Sequence, residues 1–172
     1  MSGDYNCAIG TESLKSNQSG NNNIAIGRQS LFSNTTGGNN VSIGYLALRN
    51  NLIGQYNIGI GSLALQSNTS DYNIAIGGGA LQTNSSGTYN TAIGYNAMNA
   101  NASTHNNVAI GYESLRYNLG TENTGVGNIS MKGNSTTSTG NGNTSVGYGS
   151  LFSIRAGNYN TTIGVRAGFS IS

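Results

Sequence analysis

Asn73-Ile74-Ala75-Ile76-Gly77 is repeated, with small changes, along the whole chain. With its last residue as reference, the frame returns at Gly10, Gly27, Gly44, Gly61, Gly77, Gly94, Gly111, Gly127, Gly147 and Gly164. The copies stand 16 or 17 residues apart, with one spacing of 20 between Gly127 and Gly147. A period this short and regular predicts a solenoid in which each repeat is one coil. The 172 residues therefore read as a single β-solenoid repeat domain spanning 1–172.

Position −4 from the glycine is Asn in every copy: Asn6, Asn23, Asn40, Asn57, Asn73, Asn90, Asn107, Asn123, Asn143 and Asn160. Stacked coils would bring these amides into a ladder, each bonded to the next. Position −1 is always Ile or Val, and position −2 is small, from Ala8 through Ser42 and Gly59 to Thr162. Such alternation is a short strand with two unlike faces. The branched residue is expected in one packing layer and the small one in another.

The glycine ends this strand at a bend that needs positive φ or the close approach of a neighbouring chain. A second short strand is expected after it, with a small residue at +3 and a column of Leu or Met at +4 (Leu14, Leu31, Leu48, Leu65, Leu81, Met98, Leu115, Met131, Leu151) pointing inward. Gly168 breaks that column, so the solenoid is expected to end or be capped there. At +7 a further Asn column (Asn17, Asn34, Asn51, Asn68, Asn84, Asn101, Asn118, Asn134) opens Ser-, Thr- and Gly-rich turns and is lost at Ile154. The longer ninth spacing predicts an inserted loop near 133–142 that keeps the register.

Composition points the same way. The chain has 27 glycines, no proline or tryptophan, and 7% charged residues. Polar low complexity of this kind often means disorder, yet disorder gives no reason to keep a branched aliphatic before ten glycines. A formal net charge of +2 is too weak for the basic footprint that nucleic acid requires. No segment is long and apolar enough for a membrane span, so neither nucleic acid nor membrane insertion is expected. Cys7 is the only cysteine and stands where other copies have Ile, Val or Thr; it reads as a small apolar filler, outside any disulfide framework. No signal peptide is recognised after Met1, so a complete chain would leave the cytosol by lysis, particle assembly or an unconventional route.

Each coil contributes about two large apolar side chains, too few to offset the ordering of its backbone. The expectation is an obligate oligomer of chains packed side by side, with the small −2 column allowing close approach. A three-sided hexapeptide helix would show three aliphatic-plus-Gly signals per coil, and a calcium-binding nonapeptide roll would need aspartates that only Asp4 and Asp71 supply. Both are disfavoured.

The frame Asn90-Thr91-Ala92-Ile93-Gly94-Tyr95-Asn96-Ala97-Met98 resembles the head repeats of trimeric autotransporter adhesins and related repeats in phage tail fibres. The resemblance covers essentially the whole chain. It implies an all-β, left-handed parallel β-roll of about ten coils with two short strands each, assembled as a homotrimer that contacts surfaces. The coil here is longer than in the adhesin heads, and no signal peptide, coiled-coil stalk or barrel anchor is recognised. These departures favour a virion or extracellular fibre over an autotransporter.

Chemistry is sparse. His105, the only histidine, lacks partners for catalysis or metal binding and reads as a solvated turn residue. Gly77-Gly78-Gly79 has no following Lys-Ser or Lys-Thr, so it is not a phosphate loop. The serines have no histidine to activate them. No enzyme, cofactor or metal is expected. Two tyrosine columns, Tyr45, Tyr95, Tyr112 and Tyr148 at +1 and Tyr5, Tyr56, Tyr72, Tyr89 and Tyr159 at −5, are the candidate surface-ligand residues. They read either as platforms for cell-surface glycans or as rings covering the coil edge and packing between chains. A weakly basic column at +5, including Lys15, Phe32, Arg49, Arg116, Lys132 and Phe152, should point outward. Asn17, Asn34, Asn68, Asn84, Asn101 and Asn134 fit the glycosylation sequon, which this composition produces by chance.

The reading is a non-enzymatic structural fibre protein: a trimeric shaft or receptor-contacting segment of a phage or viral fibre or an adhesin, with itself, other fibre proteins and cell-surface glycans as partners. The alternative is an extracellular filament subunit that polymerises head to tail through its solenoid ends. A polysaccharide- or ice-binding solenoid ranks lower, because Thr at −3 appears only at Thr91, Thr124, Thr144 and Thr161.

Overall fold

A computed structural model describes residues 3–134 and 138–171. The repeat frame forms strands β1 (Cys7–Ile9), β2 (Ile24–Ile26), β3 (Val41–Ile43), β4 (Ile58–Ile60), β5 (Ile74–Ile76), β6 (Thr91–Ile93), β7 (Val108–Ile110), β8 (Thr124–Val126), β9 (Thr144–Val146) and β11 (Thr161–Ile163). These ten stack in chain order as one parallel sheet, which makes the chain an all-β parallel β-solenoid. The glycines stay in register throughout; Thr124 still pairs with Thr144 across the 20-residue spacing. Most of the expected loop, Gly133–Asn134 and 138–142, lies within the description, whereas its centre at 135–137 lies outside the described residues.

Two expectations are corrected here. The segment after the glycine is not a second strand. In coil after coil it is a turn whose residues at +2 and +4 have positive φ, such as Gln29 (55°) and Leu31 (50°), flanking a residue of ordinary hand. Alternation of hand keeps the backbone from winding into a helix and from lying flat in a β-ladder, yet it still bonds coil to coil: Leu31 N–H donates to Ala47 O at 3.1 Å, and Gln29 N–H to Thr11 O at 2.9 Å. Among the described residues a second ladder of strands occurs only where β10 (Ser153–Ile154) pairs with β12 (Ser170–Ile171).

The second correction concerns which strand face is inside. The Leu and Met column at +4 is fully buried, as expected. The opposing wall, however, offers it the small −2 column: Ala25, Ser42, Ala75, Ala92, Ala109 and Ser145 are all 0% exposed. The Ile and Val at −1 therefore face outward, the reverse of a core layer. Volume is the reason. A Cβ added to Gly59 would stand 3.2 Å from Leu48 Cγ, so one leucine per coil already fills the gap between the walls. The small column is consumed within the chain's own interior and does not receive a second backbone.

Most polar groups in this narrow interior are paired. Where −2 is Ser, the +3 residue facing it is also Ser, as in Ser30–Ser42 at 2.6 Å and Ser130–Ser145 at 2.8 Å. The expected amide ladder is present: Asn40 Oδ1 accepts from Asn57 N–H at 3.0 Å and from Asn57 Nδ2 at 3.2 Å, while Asn40 Nδ2 donates to Gly54 O at 2.8 Å. The +7 asparagines form their own run from Asn17 to Asn84, with Asn34 Nδ2 donating to Asn17 Oδ1 at 2.8 Å; beyond it Asn84 Oδ1, Asn101 Nδ2 and Asn118 Nδ2 are buried without a partner. Buried amides cost free energy unless bonded, and these bonds fix the coil spacing as well as satisfying them. The reference glycine is needed for positive φ, +131° at Gly77, and for the close approach of the next coil of the same chain, not of a neighbouring chain: an added Cβ would lie 2.5 Å from Gly94 O.

Candidate interaction surface

Because −2 points in, each strand turns two residues outward. Position −1 gives Ile9, Ile26, Ile43, Ile60, Ile76, Ile93, Ile110, Val126, Val146 and Ile163; position −3 gives Cys7, Ile24, Val41, Ile58, Ile74, Thr91, Val108, Thr124, Thr144 and Thr161. Neither column contains a charged residue. Even mid-rod, away from the open edges, Ile76 and Ile110 are 37% and 39% exposed. Ten strands about 4.8 Å apart make a flat, β-branched ridge about 45 Å long and roughly 10 Å wide, comparable with the largest apolar patch expected on a monomer. Sequence reasoning found this column but put it on the wrong side of the wall.

All nine candidate tyrosines are exposed. Tyr56, Tyr72 and Tyr89 stack face to face, with centroids 5.2 and 5.1 Å apart and planes within 3°. Tyr95 and Tyr112 stack at 5.8 Å. Within these runs ring faces meet ring faces, which leaves mainly the ring edges for solvent. Tyr45 faces a cation, with the Arg28 guanidinium 5.9 Å from its centroid. Tyr5 and Tyr159, near the two ends of their column, are 88% and 82% exposed. The −5 position has left-handed φ in all of them, 57° at Tyr56 for example, and elsewhere is filled by Asn, Glu or Gly.

The +5 column does point outward, and its basic groups alternate with rings. Lys15 Nζ and Arg49 Cζ lie 5.5 and 5.4 Å from the Phe32 centroid on its two sides along the column, and Lys132 Nζ lies 6.0 Å from Phe152. These are cation–π contacts between successive coils, so the stripe is partly internal packing. Glu113, nearly buried, holds Arg116 and Lys132, the latter at 2.7 Å. Burial pushes the Glu113 carboxyl up, but the Lys132 hydrogen bond and the two cations outweigh it and hold the group below its usual range.

The remaining candidates are accounted for locally. His105 is half-buried and its Nδ1 accepts from Thr88 N–H at 3.1 Å, leaving the proton on Nε2 in the neutral ring. Among the described residues no three His, Cys, Asp or Glu side chains converge as a metal site would require. Gly78 lies under the Tyr95 ring, and Gly79 fills the left-handed +2 position. Asn17, Asn34, Asn68, Asn84 and Asn101 are buried, so a folded chain hides these sequon amides. Among the described residues no helix is long and apolar enough to cross a membrane. No family model matches the chain, and no curated protein or solved structure matches it either.

Proposed function

We propose that the chain is a module of a non-enzymatic fibre, in which three copies of a left-handed β-roll pack side by side through their outward β-branched ridges. The rod serves as shaft or receptor-contacting segment of a phage or viral fibre, or of an adhesin, in a virion or extracellular location. The observation that carries this reading is the uncharged ridge on the ten strands of the sheet, built of Ile, Val and Thr with Cys7 on β1. Cross-strand stacking of these branched side chains stabilises a lone rod only modestly, and it leaves much of their apolar surface, 37% at Ile76, in water. A partner rod that covers the ridge turns it into the second half of a core whose first half is the leucine column. The neutral, amide-rich remainder supports a surface that stays wet, and the tyrosine edges are the groups available to surface glycans.

Light scattering of the purified chain, extrapolated to low concentration, tests this. The limiting mass should be that of three chains. Ile76→Asp, which places a carboxylate at the centre of the ridge, should reduce it to one chain while circular dichroism shows the solenoid intact. A limiting mass of one chain for the unaltered protein would refute lateral packing.

A further inference from the structure

The outer faces of the two walls differ in charge. The strand ridge carries none. Six of the seven cations, Lys15, Arg28, Arg49, Arg116, Lys132 and Arg166, stand at +1, +2 or +5 on the turn wall, with only two carboxylates, Glu12 and Glu113, among them. Asp4, Asp71 and Glu122 stand instead at −6 or −5, on the corner before the strand. The chain's formal +2 therefore hides a turn wall of +4, six cations less two carboxylates.

These cations form two clusters that hold themselves in place. In the first, Gln29 Nε2 donates to Glu12 Oε2 at 2.7 Å and Arg49 Nε to Gln29 Oε1 at 3.3 Å, while Lys15 Nζ pairs with Glu12 Oε1 at 2.7 Å. Arg28, exposed and laid over Tyr45, donates no side-chain hydrogen bond among the described residues. Its planar fork of donors is thus positioned by a ring and still unspent. In the second cluster Glu113 holds Arg116 and Lys132, and Lys132 faces Phe152. Phe152 stacks on Phe169 at 5.0 Å, and the Arg166 guanidinium lies 5.8 Å from that second ring. Between the clusters the +5 column is neutral: Gln82 Nε2 donates to Gln66 Oε1 and Asn99 Nδ2 to Gln82 Oε1, both at 3.0 Å.

This layout selects among anionic partners. Duplex nucleic acid carries a charge about every 1.7 Å of its axis, whereas the wall offers a net four charges over about 45 Å. A partner with anionic groups at wide intervals and hydroxyls between them matches both the cation clusters and the amides that separate them. We infer that the turn wall is the receptor-contacting face of the rod and binds an acidic polysaccharide, its carboxylates or sulfates on the two cation clusters and its hydroxyls on the amides between. The inference rests on the fibre reading, in which the ridge is turned toward the other copies and the opposite wall toward solvent.

The test is retention of the full chain on immobilised polygalacturonate, which carries carboxylates, and on heparin, which adds sulfates, with dextran and duplex DNA as comparisons. At low salt the chain should bind at least one acidic polymer and be released as salt rises; binding to heparin alone would assign the clusters to sulfate. Arg28→Gln combined with Arg49→Gln should weaken this binding about tenfold, and Arg28→Lys with Arg49→Lys should retain most of it. Arg155→Gln, which removes the one cation off this wall, should change it less than about twofold. No retention on either acidic polymer, equal retention on dextran, tighter binding to duplex DNA, or an equal loss in Arg155→Gln would overturn the inference. Light scattering on the same samples separates the two readings. Three copies that bind neither acidic polymer leave the fibre standing and refute the binding face, whereas single rods that bind one refute lateral packing and leave the binding face.

Discussion

The two walls of each coil solve the same packing problem in opposite ways. On the strand wall the backbone is relaxed, the inward residue is small and the large branched residues face out. On the turn wall the backbone is left-handed at two positions per coil and the large residue, Leu or Met, faces in. A left-handed conformation costs a non-glycine residue on the order of 1–2 kcal/mol. The turn wall bears that cost to aim one leucine at the interior. The strand wall bears none, yet keeps its own branched side chains out of the core. The difference teaches that a coil of this width has room for one large side chain, and that the second set is left on the outer face of the strand wall.

Breaking the amide ladder that joins the walls should have the largest effect. Asn57 is fully buried, donating to Ser70 O at 2.7 Å and to Asn40 Oδ1. Asn57→Asp replaces both side-chain donors by a buried charge and should cost about 3–5 kcal/mol or prevent folding, read as a drop in the denaturant midpoint. Gly77→Ala comes next. It adds a Cβ beside Gly94 O at positive φ and should cost about 3 kcal/mol in the same measurement. The smallest effect sharpens the contrast from the other side. Ile129, at +2 with φ 50°, is a β-branched residue in the strained conformation. Ile129→Gly should stabilise the chain by about 1 kcal/mol despite losing a side chain, and a thermal melt would show it.

The period, the −4 asparagine ladder, the inward leucines and the held register across the long ninth spacing were all legible in the sequence, because each depends on identity at a fixed spacing; the amide run at +7, read only as turn chemistry, was not. The orientation of the strand was not. Alternation states that Ile76 and Ala75 face opposite ways, but not which of them faces the core. Deciding that needs the width of the interior, which Leu81 and its column occupy. One sign was present: each Ser at −2, Ser42 and Ser145, is matched by a Ser at +3 of the preceding coil, Ser30 and Ser130, as a hydroxyl turned into the wall requires a partner. The turn wall was misread as a strand because Leu31 and Gln29 do not advertise positive φ. Gly79, Gly149 and Asn96 at +2 and Gly168 at +4 did carry that signal. Gly168, read as a break, fits the conformation that the leucines adopt under strain. The tyrosines lie exposed at the repeat positions that spacing gives, but their stacking depends on ring orientation, which spacing alone does not give.

The central claim is that the outward ridge lies against another copy, and thiol accessibility tests it most directly. In a Cys7→Ser background, Ile110→Cys places a thiol on the ridge, and Tyr112→Cys places one two residues away on the open surface. The account predicts alkylation at least tenfold slower at position 110 than at 112 under native conditions, with equal rates in denaturant. Equal native rates would show the ridge open to solvent and contradict the account.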